Sequence, residues 1–234
     1  MERIFLLSPA YAGGKRAAMM LNRRAEFRLA QRFRSDEGLP LGELFSFLSG
    51  LYFRGKLAYA RTFARPPAGL PVAFVITPNR GLMDVNLPVG LKELRSFGRV
   101  AIDESDPRYR RPLQRDAAQL ALRLSAQCEV VLLGSISTSK YAEVLLEFFG
   151  ERLRFPSEFL GRGDMSRGGL LLRCAAQGRE LIYVPVAGSV RHGTRPARLE
   201  SRSWKGSPFE FQSMGAEQQT GSASAQSESN WKHS

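Results

Sequence analysis

Short apolar runs closed by turn residues recur along most of the chain, at residues 4–8, 72–77, 100–103, 130–134 and 181–186, with a weaker run at 152–155. Consecutive apolar positions, in place of strict alternation, predict strands covered on both faces, as parallel strands are. Between them the period changes. Ala18, Leu21, Ala25, Leu29 and Phe33 recur at three- and four-residue spacing, as do Leu113, Ala117, Leu120, Ala121 and Leu124. Residues 44–63 are free of proline and apolar on one side, and Tyr141, Leu145 and Phe148 repeat the pattern after the fourth run. Alternating strand and helix patterns predict an α/β fold. The expected architecture is an open, mostly parallel sheet of five or six strands with helices on both faces.

After residue 199 the composition shifts to Ser, Gly, Gln and Glu, which buries too little apolar surface to fold. The expectation is therefore one basic α/β domain over residues 1–199 and a disordered tail over 200–234. Across the chain 34 Lys and Arg face 22 Asp and Glu, a formal charge of +12, made up of +13 on the first 199 residues and −1 on the remainder. Such a charge raises the local concentration of polyanions. The two cysteines, Cys128 and Cys174, sit in apolar surroundings with no metal or disulfide spacing, so neither a metal nor another cofactor is expected. The opening apolar run is too short for a signal peptide and no run reaches membrane-spanning length; a cytoplasmic protein without membrane insertion is expected.

In open parallel sheets ligands bind beyond the carboxyl ends of the strands, so the chemistry is sought there. The first run leads into Ser8-Pro9-Ala10-Tyr11-Ala12-Gly13-Gly14-Lys15-Arg16, where Ser8, Lys15 and Arg16 are candidate phosphate ligands, although the P-loop spacing is missing. The second leads into Thr77-Pro78-Asn79-Arg80-Gly81-Leu82-Met83-Asp84, with Arg80 placed to fork onto an anion and Asp84 a candidate base. The fourth leads into Gly134-Ser135-Ile136-Ser137-Thr138-Ser139-Lys140 at a helix start. A cation in the first turn opposes the helix dipole by roughly 0.3–1 kcal/mol unless an anion shares the site, which points to Ser135, Ser137 and Lys140 as phosphate ligands. Residues 155–169, dense in Gly, Arg and Asp, read as a ligand-gripping loop carrying Arg162, Asp164 and Arg167.

Ser-His catalysis has little support, because the one histidine before the tail is His192, near its end. Acid–base chemistry falls to carboxylates, foremost Asp84 and Asp164, with Asp103 and Glu158 behind them. Two arginine clusters suit a nucleic-acid face. Arg24, Arg28 and Arg32 form an i, i+4 ladder, and Arg110 and Arg111 stand in a run beside Tyr109.

Three stretches in order, Ile4-Phe5-Leu6-Leu7-Ser8-Pro9, Ser49-Gly50-Leu51-Tyr52-Phe53-Arg54-Gly55-Lys56 and Val75-Ile76-Thr77-Pro78-Asn79-Arg80-Gly81-Leu82, resemble the layout of the YaaA-like peroxide-stress proteins and their relatives attached to archaeosine enzymes. More weakly, Leu132-Leu133-Gly134-Ser135 is similar to the central segment of uracil-DNA glycosylases, whose water-activating and His-Pro-Ser motifs are absent; Phe155-Pro156-Ser157 stands at a comparable place. The resemblance implies an α/β fold and association with DNA or RNA, and adds Tyr52 to the candidate ligand set. The expected function is nucleic-acid association through phosphate or nucleotide groups held at strand-end loops, with action on a base or nucleotide left open. The alternatives are an enzyme on a small phosphorylated metabolite and a non-catalytic interaction module.

Overall fold

A computed structural model describes residues 1–190, 193, 194, 196, 197 and 199. His192 and the expected tail at 200–234 lie outside the described residues. In chain order the elements are β1 (Arg3–Leu7), α1 (Lys15–Leu21), α2 (Arg28–Arg34), β2 (Leu39–Pro40), α3 (Leu41–Ser49), α4 (Leu51–Phe63), β3 (Ala73–Ile76), β4 (Leu82–Asp84), β5 (Pro88–Val89), α5 (Leu91–Phe97), α6 (Pro107–Arg123), β6 (Glu129–Leu133), α7 (Ser139–Phe149), β7 (Leu153–Pro156), α8 (Asp164–Gln177) and β8 (Tyr183–Pro185). Six strands form one sheet in the order β4-β3-β1-β6-β7-β8, and β2 and β5 form a small separate pair.

The four inner strands are parallel and the two edge strands antiparallel, giving an α/β fold with an open, mostly parallel sheet and helices on both faces. Strand β1 is wholly buried and pairs with β3 on one side, Leu7 against Val75, and with β6 on the other, Leu7 against Leu133. The β1-to-β3 connection moves one way along the sheet; β3-to-β6 and β6-to-β7 move the other way. Right-handed crossovers therefore place α4, with α8 packed on it, on one face and α6 and α7 on the opposite one, while α5 packs beside α1 and α3. The chains leaving β1 and β6 diverge to opposite faces, which opens a crevice between the residues that follow them, Ser8 and Gly134.

Several elements differ from the sequence expectation. Residues 100–103 form no strand: Gly98 ends α5 just before them, and the Asp103 side chain accepts the Ser105 N–H to turn the chain toward α6. Besides the two-residue pair β2 and β5, the strand absent from the expectation is β4, folded back on β3 by the Thr77–Gly81 turn, where Thr77 N–H donates to the Gly81 carbonyl at 2.8 Å. Gly81 has φ +63, and any side chain there would strike Asp116 and the Pro112 carbonyl. The last run yields only three residues, β8, antiparallel to β7. The continuous helix expected through Ala18 and Phe33 is two short helices, because the Asn22 side chain accepts the Arg24 N–H and turns the chain. Gly50, at φ +70, divides α3 from α4. Asp164 and Arg167 belong to the first turn of α8 rather than to a loop.

No helix among the described residues is long and apolar enough to cross a membrane.

Candidate functional site

The crevice between β1 and β6 holds a fully buried lysine. Lys56 lies on the face of α4 that also presents Tyr52, Phe53, Tyr59 and Ala60 to the core. Its ammonium nitrogen reaches the end of β1, donating to the Ser8 carbonyl at 2.5 Å and lying 2.9 Å from Ser8 Oγ. It also sits 4.3 Å from the centre of the Tyr52 ring and 4.9 Å from that of Phe53. Burial pushes the lysine down to about 7; the Asp164 carboxylate on α8 opposes that fall and Arg167 adds to it. The Tyr52 hydroxyl is buried with no hydrogen-bond partner of ordinary geometry, and burial holds it well above the usual tyrosine range.

Ser8 is tied to the neighbouring strand: its N–H lies 3.2 Å and its hydroxyl 3.3 Å from the Leu133 carbonyl. A side chain at position 134 would lie 3.0 Å from Ser8 Cβ and 3.3 Å from its Oγ, so any residue larger than glycine there would crowd the hydroxyl. Gly134 also lines a cavity of about 190 Å³ at the carboxyl ends of β6 and β7, together with Ile136, Ser137, Phe155, Phe159, Leu160, Arg162 and Arg167. Backbone carbonyls hold both arginines in place: Arg162 Nε donates to Glu158 at 2.9 Å, and Arg167 donates twice to Phe159, at 3.2 and 3.0 Å, with its guanidinium over the Phe159 ring. Neither uses all five of its donors in these bonds.

A second concave region, of about 450 Å³, lies at the carboxyl end of β3. Its lining is Asn79, Lys92, Arg95, Ser96, Arg99, Val100 and Arg108, four cations and no carboxylate. Asp106 pairs with Arg108, whereas Lys92, Arg95 and Arg99 make no ion pair among the described residues. The Asn79 amide donates to the Ser96 carbonyl at 3.2 Å, which leaves its Oδ1 buried without a partner. Gly98, at the end of α5, stands against the Ala12 carbonyl, so the loop after β1 runs between the two concave regions.

The residues expected from the sequence divide accordingly. Ser8, Tyr52, Ser137, Arg162, Asp164 and Arg167 gather around the β1–β6 crevice, and Ser135 holds the Ser137 hydroxyl at 2.7 Å. Lys15 and Arg16 are exposed in α1, where Arg16 donates to the Phe47 carbonyl at 3.1 Å. Arg80 pairs with Glu93 beside the basic concavity, 3.3 Å apart. Asp84 accepts the Asn86 N–H at the far end of β4 and stands apart from both regions. Lys140 is exposed in the first turn of α7; its carbonyl accepts from the buried Tyr109 and its side chain lies toward Asp103.

The Arg24, Arg28 and Arg32 ladder does not exist as a helical face, since Arg24 lies before α2 and Arg32 forks onto Glu43 at 2.7 and 3.1 Å. Arg110 pairs with Glu147 at 2.9 Å, and Arg111 is exposed. Sequence reasoning overlooked Lys56 as a site residue, Gly134, and the trio Lys92, Arg95 and Arg99. Both sets had a signal: Lys56 interrupts an apolar helical stripe, and the trio recurs at three- and four-residue spacing.

Among the described residues no three of His, Cys, Asp and Glu stand close enough together to hold a metal ion. No family model, curated protein or solved structure matches the chain.

Proposed function

We propose that the protein associates with nucleic acid along the carboxyl edge of its sheet. Phosphates lie in the basic concavity at β3, and a nucleotide or phosphate group enters the smaller cavity at β6 and β7. The observation that carries this reading is the concavity of about 450 Å³ lined by Lys92, Arg95, Arg99 and Arg108 with no carboxylate among its walls. Three of those cations have no ion-pair partner among the described residues, so a polyanion meets them without displacing an internal bond. Strands β3, β1, β6 and β7 are successive neighbours, which sets their ends about 14 Å apart overall, a span that a short stretch of polynucleotide covers.

The smaller cavity suits a planar, anion-bearing group. Phe155 and Phe159 give it apolar surface, and the spare donors of Arg162 and Arg167 give it positive charge. The net charge of +12 supports the same reading, as does the resemblance of the segments around Ser8, Tyr52 and Arg80 to YaaA-like proteins.

Oligonucleotide affinity measured as a function of salt tests the proposal. Each phosphate contact contributes about 0.7–0.9 to the slope of log K against log salt, so the wild-type slope is expected to be steep. Changing Lys92, Arg95 and Arg99 together to Gln is expected to reduce it by about 2 to 3. A shallow wild-type slope, or one unmoved by the triple change, refutes it.

A further inference from the structure

Beyond binding, the structure carries a reactive pair: we infer that Ser8 and Lys56 act as nucleophile and proton acceptor in the hydrolysis of an acyl ester or amide that bears a negative charge. The inference rests on geometry that a purely structural lysine has no need of. Lys56 reaches both the carbonyl and the hydroxyl of one serine, 2.5 and 2.9 Å away, from a position with no exposure to speak of, 1%. A lysine serving only to cover the end of β1 would be satisfied by carbonyls. The hydroxyl it also touches, which lies 3.3 Å from the Leu133 carbonyl, adjoins Gly134, where any side chain would crowd Ser8 Oγ and which itself lines the cavity with Arg162 and Arg167. Nucleophile and base thus lie directly behind Gly134, and the anion-binding arginines share the cavity that Gly134 lines, at the crevice where the connections of the sheet diverge.

The charges around Lys56 are few. Asp164 and Arg167 face it from α8, the rings of Tyr52 and Phe53 from α4, and the two oxygens of Ser8 from β1. Burial brings the amine down to about 7, so at neutral pH a sizeable share is uncharged and able to accept a proton, the condition for general-base activation. The Tyr52 hydroxyl, without a hydrogen-bond partner of ordinary geometry and near Arg167, is a further donor on α4.

In the reaction the Ser8 hydroxyl proton passes to the neutral Lys56 amine as Oγ bonds to the substrate carbonyl carbon. The tetrahedral adduct collapses by breaking the bond to the leaving oxygen or nitrogen, which departs with the proton from Lys56. Water then attacks the Ser8 ester, giving its proton to Lys56, and the acid leaves as Ser8 Oγ recovers that proton. The sum is addition of water across one acyl bond, with no redox change.

A fluorophosphonate tests the pair directly, since attack by Ser8 Oγ on phosphorus expels fluoride and leaves a mass tag. Wild-type protein is expected to carry the tag on the peptide containing Ser8, at a rate that rises through pH 7. Ser8→Ala abolishes it, and Lys56→Met, if folded by circular dichroism, lowers the rate at least about a hundredfold. A carboxylate-bearing p-nitrophenyl ester is expected to be cleaved faster than p-nitrophenyl acetate, and Arg162→Gln to remove the difference. An untagged Ser8, a rate indifferent to pH between 6 and 8.5, a folded Lys56→Met protein that labels normally, or equal cleavage of the two esters overturns the inference. Oligonucleotide binding is separable, because the Lys92, Arg95 and Arg99 triple change, which lowers the salt slope, leaves the labelling of Ser8 intact.

Discussion

Gly55 and Gly168 let two helices meet backbone to backbone. A side-chain carbon at Gly55 would lie 2.6 Å from the Gly168 carbonyl oxygen, and one at Gly168 would lie 2.7 Å from the Tyr52 Cα. This approach between α4 and α8 fixes Lys56 and Tyr52 on one helix against Asp164 and Arg167 on the other. These four residues beside the crevice are therefore held by helix packing rather than by a loop.

Gly168→Ala is accordingly expected to destabilise the protein by roughly 1–3 kcal/mol, because neither helix backbone can retreat without disturbing the core. Denaturant unfolding measures it as a lower midpoint with an unchanged slope. Gly163→Ala, on the same segment but with open space around the new methyl, should have little effect and serves as the control.

Lys56 makes stability depend on pH in a definite direction. Its amine is lowered to about 7 in the folded protein, against about 10.4 unfolded, so between these values the unfolded chain binds more protons and stability rises with pH. Below about 7 the full cost of burying the charge is present. Lys56→Met is expected to stabilise the protein at pH 6 by a few kcal/mol and to flatten its stability profile between pH 7 and 9 relative to wild type. Thermal or denaturant melts of the two proteins across that window check the difference; a parallel pair of profiles contradicts it.

Much of this fold was legible because apolar runs such as residues 4–8 and 130–134 leave a parallel strand as their simplest reading, and alternation with helical spacing orders them in a sheet. Antiparallel edges were not legible. Strand β4 depends on the turn at Thr77 and Gly81, whose geometry is set by Asp116 and Pro112 more than thirty residues away. Ser8, Arg162 and Arg167 could be picked out because strand ends in parallel sheets are where ligands sit. Lys56 offered only the signal of a cation interrupting an apolar stripe, and Gly134 none, since their meaning arises only when α4 and β6 are folded against β1. The arginine ladder failed for the converse reason: spacing alone assumed a continuous helix, and Asn22 ends it.

Arg3 ties three segments together at the opposite end of the sheet. Its guanidinium binds Glu129 of β6 at 2.5 and 2.8 Å, pairs with Glu180 before β8, and stacks 4.6 Å over the Tyr183 ring. These partners hold the guanidinium above its ordinary value in spite of burial. Arg3→Met is expected to destabilise the protein by about 1–3 kcal/mol, less than a wholly stranded charge would cost, because Glu129, only 13% exposed, keeps Arg154 at 3.4 Å as its remaining partner. Adding Glu129→Gln should recover part of the loss, a coupling that a double-mutant cycle reads directly.

The two arginine and lysine sets offer a direct comparison of where a polyanion binds. In the Arg24, Arg28 and Arg32 set, Arg32 is already neutralised by a two-pronged bond to Glu43, and Arg24 points from a turn outside α2. In the Lys92, Arg95 and Arg99 set, all three side chains line one concave region. Changing the first set to Gln is therefore expected to leave the salt slope of oligonucleotide binding within about 1 of wild type, while the second set lowers it by about 2 to 3. Arg32→Gln should bring its own loss of stability, below about 1 kcal/mol for a partly exposed pair, so binding is compared at temperatures well below both melts. A larger loss of slope from the first set would move the nucleic-acid face from the sheet edge to the helices that follow β1.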